Sequence, residues 1–312
     1  MLDRRLLLVT GKGGVGRSTI AASLAVLGVS AGRTVLTCDT DGRGDMADLF
    51  ETVVPGFTPS AVELGLWSMT MDTEASLREY LRLQLRVPVV GHLGPLARML
   101  DFVATAAPGV REILSIGKIA WEVRERHYDL VVVDAAASGH ILGQLTAPAA
   151  INRLVAVGQV RQQTGWVSAL LADPATTSLV VVTTSEEMPV NETIELVGRV
   201  WAETDVAVAG VVVNRVLPEL FSRSEEELFE RLAVPPAVAL LDQRAGGAVA
   251  PVFDAARLAV RLRRHRAAHL DRLRAALGDS VPIAYVPELF TRGRGRRTLN
   301  QVAEALRAEL PQ

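Results

Sequence analysis

Gly11-Lys12-Gly13-Gly14-Val15-Gly16-Arg17-Ser18-Thr19 sets glycines, two cations and two hydroxyls in one short stretch. Glycines let a backbone turn its N–H groups inward onto an anion, and flanking cations add charge to the same concavity. The chemistry that suits this stretch is the cradling of a polyphosphate. The spacing is that of G-x-x-x-x-G-K-[ST], in which the hydroxyl ligates Mg²⁺, so Ser18 is the candidate metal ligand. One position departs from that pattern: Arg17 stands where the lysine is expected. Lysine is scarce throughout, with Lys12 and Lys118 alone against thirty-one arginines, and one of those two sits in this loop.

Further groups able to do chemistry follow later in the chain. Asp39-Thr40-Asp41-Gly42-Arg43-Gly44-Asp45-Met46-Ala47-Asp48 carries four carboxylates and two glycines, which suits a loop beside Mg²⁺ and an attacking water. Leu130-Val131-Val132-Val133 ends in Asp134, and an apolar strand ending in aspartate is how a carboxylate is brought to Mg²⁺ through water. Asn214 follows Val211-Val212-Val213, and its amide can donate and accept at once, as recognition of adenine requires.

These residues need a scaffold that delivers them to one edge. Short apolar or β-branched runs at Leu6–Val9, Thr34–Thr37, Leu130–Val133, Leu179–Thr183, Val206–Val213 and Val281–Val286 read as parallel strands buried on both faces. Helical patterns separate them, beginning with Ile20 to Val29. The expected fold is α/β: a doubly wound, mostly parallel sheet of about seven or eight strands with helices on both faces. Helical insertions are expected at about residues 73–127 and 217–278, within one domain spanning 1–312. In such a sheet the ligand sits beyond the carboxyl ends of the strands, where each candidate residue above is placed.

Composition narrows the class. A net charge of −2 gives no overall bias toward nucleic acid or anionic membranes. Cys38 is the only cysteine, which excludes an intrachain disulfide and a cysteine-pair zinc site within one chain. No apolar run approaches a membrane span, and Leu6–Val9 is too short for a signal-peptide core, so cytoplasm is the expectation.

Lys12-Gly13-Gly14-Val15-Gly16-Arg17-Ser18 resembles the deviant motif KGGxGK[ST] of the superfamily of P-loop ATPases that includes ArsA, ParA, MinD and the nitrogenase iron protein. The resemblance implies ATP or ADP with Mg²⁺ held by Gly11, Gly13, Gly14, Val15, Gly16, Arg17, Ser18 and Thr19. It also implies a dimer in which Lys12 reaches the partner's phosphates, a charge whose loss costs on the order of 10³–10⁵ in rate. The segment after Asp39 resembles the family's first switch, with Asp41 as the residue that positions water; Gly42 and Arg43 replace the usual proline and alanine. Asp39 resembles a metal-shell carboxylate in the ParA-like D-x-D. Asp134 to His140 resembles the second switch D-T-A-P-T-G-H of the ArsA branch, matching at Gly139 and His140, which implies that His140 senses the nucleotide. Asn214 and Arg215 resemble the base-reading strand end, and Pro287 the loop that closes over the base.

Pro108-Gly109-Val110-Arg111-Glu112 and Glu192-Thr193 favour the ArsA branch, and the resemblance extends with gaps from about residue 5 to 305. The chain is similar to one member of the paired ArsA-like ATPases of actinobacteria. The implied activity is an ATPase that acts on a protein client through nucleotide-driven motion, as a homodimer or with a paralogous subunit. Cysteine clusters for a metalloid and a C-x-x-C zinc clasp are both missing. Leu77, Tyr80, Leu81, Leu83 and Leu85 with Leu96, Met99, Leu100 and Val103 form a candidate client surface, with plain core packing as the alternative. A ParA- or MinD-like positioning ATPase and a non-hydrolysing nucleotide sensor are the competing readings. The arginines of residues 257–274 and 292–297 could touch DNA phosphates, but a solvated or ion-paired face is the expectation. Leu299, Val302, Leu306 and Leu310 are expected to pack on the sheet, since a cationic polar face for membrane binding is missing.

Overall fold

Strand β1 (Leu6–Gly11) is buried along its whole length, as an unbroken apolar run must be when helices cover both sides of its sheet. The computed structural model describes residues 1–42, 44–84, 110–154, 158–247, 249–290 and 295–310. Among these, β1 is parallel to β5 (Leu130–Asp134) on one side and to β6 (Thr177–Thr184) on the other. The remaining strands are β2 (Val35–Asp39), β3 (Ser60–Glu63), β4 (Leu66–Thr70), β7 (Val208–Val216) and β8 (Ile283–Pro287). The eight-stranded order is β3-β4-β2-β5-β1-β6-β7-β8. Only β3 is antiparallel to its neighbour. The chain steps to one side of β1 through β2 and β5 and to the other through β6, β7 and β8. That reversal opens a crevice at the carboxyl end of β1.

Helices close both faces. Alternation along β1 sends Leu7 and Val9 to one side and Leu6 and Leu8 to the other. On the first side they pack with Ile20 and Leu24 of α1 (Arg17–Ser30) and Leu299 and Leu306 of α11 (Arg296–Glu309). On the second they pack with Ile116 and Ile119 of α4 (Val110–Glu125), Ile141 of α5 (Ser138–Leu154) and Val197 of α7 (Glu187–Glu203). Each fully buried leucine of this kind contributes roughly 1.5–3 kcal/mol. The helical pattern at residues 299–306 therefore ends in the core, against α1. No helix among the described residues is long and apolar enough to cross a membrane.

The other elements are α2 (Asp45–Phe50), α3 (Thr73–Gln84), α6 (Gln159–Ala172), α8 (Arg223–Leu232), α9 (Pro235–Ala245) and α10 (Val249–Leu277). Of the expected helical stretches, 217–278 forms α8 to α10, and 73–127 contributes α3 and α4. Residues 85–109 lie outside the described residues, and with them most of the candidate client surface. The β3–β4 hairpin was not anticipated. β3 is largely exposed and β4 (Leu66-Trp67-Ser68-Met69-Thr70) has a single β-branched residue, so neither carries the apolar or β-branched run that marks the others.

Candidate functional site

The loop between β1 and α1 is shaped by contacts that only glycine permits. A Cβ at Gly11 would collide with the Val182 carbonyl of β6. Gly14 and Gly16 have φ of 87° and 89°, where side-chain-bearing residues are strained, and a Cβ at Gly16 would strike the Asn214 amide. Gly16 caps α1, whose first turn holds no acidic residue and whose N-cap has no side-chain hydrogen bond. The first N–H groups of α1 are thus left for an anion.

The end of β7 clamps this loop from behind. Buried Asn214 donates from Nδ2 to the Val15 carbonyl at 2.9 Å, and its Oδ1 accepts from the Arg215 N–H at 3.0 Å. Arg215, at φ 56°, donates from Nη1 to the Gly14 carbonyl at 3.3 Å. The Asn214 amide is therefore committed to the loop, and reading adenine with it would mean exchanging those bonds. Pro287 ends β8 at an exposed position, next to Glu288, which faces the loop across a cavity shared with Lys12 and Arg215.

The two acidic segments meet Arg17. Its Nε donates to Asp134, and its Nη2 donates to Asp41 Oδ2 at 2.7 Å. Burial works against the Arg17 charge, but Asp134 and Asp41 outweigh it and hold the guanidinium above the ordinary arginine range. Burial pushes the Asp134 carboxyl up from the usual carboxylate range, opposed by Arg17 and by hydrogen bonding from Ser18.

Backbone geometry fixes both segments. Thr40 Oγ1 donates to the Asp134 carbonyl at 2.8 Å, joining one to the other, and Thr10 Oγ1 donates to the Ala136 carbonyl at 2.7 Å. Buried Asp39 accepts the N–H groups of Asp41, Gly42 and Gly44 at 2.9, 3.0 and 3.2 Å. Its carboxylate organises the loop, and a water-mediated metal contact would have to share those oxygens.

Lys12 turns sideways and pairs with Glu192 in α7, and Glu192 Oε2 also accepts from Ser138 Oγ at 3.3 Å. Glu192 thus ties the glycine loop to the start of α5. The sequence singled it out only as a family echo, because no spacing rule brings residues 12 and 192 together. His140 is exposed in the first turn of α5 and lines a cavity of about 340 Å³ with Asp41, Arg111 and Glu112.

A cavity of about 560 Å³ collects Lys12, Gly13, Gly14, Gly16, Arg17, Ser18, Thr19 and Asp41 on one wall. Asp45, Asp48, Gly295 and Thr298 also line it, so the start of α11 faces the glycine loop, a contribution the sequence did not signal. Gly13 and Gly14 continue into the neighbouring cavity of about 600 Å³ by Glu288. Gly11 and Val15 are buried beneath the loop. The hydroxyl of Ser18 and the carboxylate of Asp134 are hard oxygen donors of the kind Mg²⁺ selects. No cluster of three or more His, Cys, Asp or Glu able to hold a metal by itself is found among the described residues. A cation there would need ligands from a bound phosphate as well.

A parallel sheet with a glycine loop at its switch point, a helix N-terminus open to an anion, and aspartates at the ends of β2 and β5 defines a nucleotide-binding α/β protein of the P-loop class. Within that class, the chain belongs to the anion-transporting ATPase family, whose profile matches residues 4–168 and 154–234. It is 34% identical over 227 residues to the ATPase BagA of Mycobacterium tuberculosis, covering 69% of this chain and 66% of that protein. It is 30% identical over 176 residues to the ATPase get3 of Neurospora crassa, covering 53% of this chain and 50% of that protein. The matches therefore span two thirds or less of the length of these relatives.

Proposed function

We propose that residues 1–312 form a cytoplasmic, Mg²⁺-dependent ATPase domain that works as a dimer, with itself or with a paralogous subunit. Its output would be a nucleotide-driven change of dimer geometry acting on a protein client. The observation that carries this reading is the convergence of Arg17, Ser18 and Asp41 on one glycine-walled cavity, with buried Asp134 held to Arg17 beneath it. The family and the names of BagA and get3, both ATPases, support the same activity.

In this reading the N–H groups of Gly13, Gly14, Gly16, Arg17, Ser18 and Thr19 bind phosphate, and Gly11 and Val15 hold the loop's shape. Asp41 orients the attacking water. Ser18 would hold Mg²⁺ directly, and Asp134 or Asp39 through water. When bound, the ion neutralises charge developing on the β- and γ-phosphate oxygens. Asn214, Arg215 and Pro287 would meet the base, Asn214 only by exchanging the bonds it makes to the loop. Lys12, which pairs with Glu192 in the single chain, would leave that pair to reach the partner's phosphates.

One observation favours a second reading. Arg17 already occupies both Asp41 and Asp134, so the chain could bind nucleotide without hydrolysing it, as a sensor subunit of a heterodimer. Single-turnover ATP hydrolysis with Mg²⁺ across a dilution series separates the two. A specific rate that climbs with protein concentration supports the self-assembling ATPase. Tight ATP binding without turnover at any concentration supports the sensor.

A further inference from the structure

The Arg17 guanidinium spans carboxylates from two different loops. Nε is on Asp134 at the end of β5, and Nη2 is on Asp41 beyond β2. The Arg17 side chain is 11% exposed and that of Asp134 3%, so this arm of the bridge lies where water screens little, whereas Asp41, 28% exposed, meets solvent at the cavity. Both Arg17 and Asp41 border the cavity that receives the phosphates. Asp41 on the cavity wall and Asp134 buried behind Arg17 would together repel a polyphosphate unless a cation stood between, and here the chain supplies that cation itself. Lysine could not do so in the same way. An ammonium is a single point charge, whereas the planar guanidinium directs five N–H donors along different edges. With two of those edges on carboxylates, N–H groups remain for phosphate oxygens.

We infer that Arg17 is a resident cation that stands in for Mg²⁺ during nucleotide capture, so that the chain binds metal-free and Mg²⁺-bound nucleoside triphosphate alike. The metal is then needed for turnover but not for binding. This rests on the glycine loop being the nucleotide site.

The test is calorimetric titration of the full chain with the non-hydrolysable analogue AMP-PNP, once with excess Mg²⁺ and once with EDTA. The wild-type chain should show dissociation constants within about threefold of each other, a difference of less than ~1 kcal/mol. The R17K chain, carrying the ordinary lysine, should lose about tenfold or more in EDTA. A larger than threefold loss in the wild-type chain overturns the inference and leaves the nucleotide site intact. So does an R17K chain as indifferent to the metal as the wild type. No binding in either buffer would instead overturn the nucleotide site, and this inference with it. The wild-type comparison stands even if the variant fails to fold.

Discussion

Lys12 and Asn214 show how differently two residues of one loop region can matter. Lys12 is 29% exposed and its partner Glu192 35%, so the pair between them contributes little to stability. Its proposed work lies across a subunit boundary, and Lys12→Ala should leave ATP affinity nearly unchanged while lowering single-turnover hydrolysis by on the order of 10³ or more. Unchanged turnover in that variant would remove the trans-acting role. Asn214 is the opposite case. Its amide is buried and holds the Val15 carbonyl and the Arg215 N–H, so Asn214→Ala should lower unfolding free energy by roughly 1–3 kcal/mol in urea titrations. Weakened nucleotide binding should accompany the loss, since the loop is no longer held from behind. The glycines, Ser18, Asp41 and Asp134 were legible in the sequence because their spacing is local. The Arg17 bridge, the Lys12–Glu192 pair and the Asn214 clamp were not, because each joins positions that only the folded sheet brings together.

At the level of elements, α3 and α4 are joined by a buried ionic cluster that no pattern in the sequence announced. Lys118 on α4 lies 2.7 Å from Glu122 and 2.9 Å from Glu79 of α3, above the ring of Phe57. Burial pulls the ammonium down, but hydrogen bonds and charge from Glu122 and Glu79 outweigh it and raise it above the ordinary lysine range. A raised folded value means that the stabilisation is complete below the unfolded lysine value of about 10.4 and is lost as pH climbs through the folded one. Stability measured between neutral pH and pH 11.5 should thus show an alkaline decline beyond that of Lys118→Met. That variant should itself lose up to roughly 3–5 kcal/mol at neutral pH, because Glu122 remains buried, and Glu79 half-buried, without their cation. In β2, Cys38 is fully buried beside Asp39, and burial pushes its thiol well up. Labelling by a thiol reagent should be slow in the native chain and rise to the free-thiol rate only in denaturant, so its rate reports the opening of β2. The six strands singled out by their apolar runs, the helix after the glycine loop and the helical stretch 217–278 are found where the sequence put them. The β3–β4 hairpin escaped because an edge pair needs no such run.

On the scale of the whole molecule, the arginine-rich face of α10 proves to be stitched to carboxylates. Arg263 pairs with Glu219, Arg264 with Glu226 and Arg266 with Glu186. The ion-paired face expected for this stretch is thus found at these three arginines. The same preference for arginine has a chemical consequence. The only two lysines differ sharply: Lys118 is 7% exposed within its cluster, whereas Lys12 is 29% exposed in the glycine loop. To an acylating reagent, the native chain therefore offers one side-chain amine far more open than the other, and that amine lines the cavity of the glycine loop. Mild acetylation, mapped by mass spectrometry of the intact and digested chain, should mark Lys12 well before Lys118, and bound nucleotide should slow that mark. A protein this poor in lysine carries its own one-point probe of whether its loop is filled.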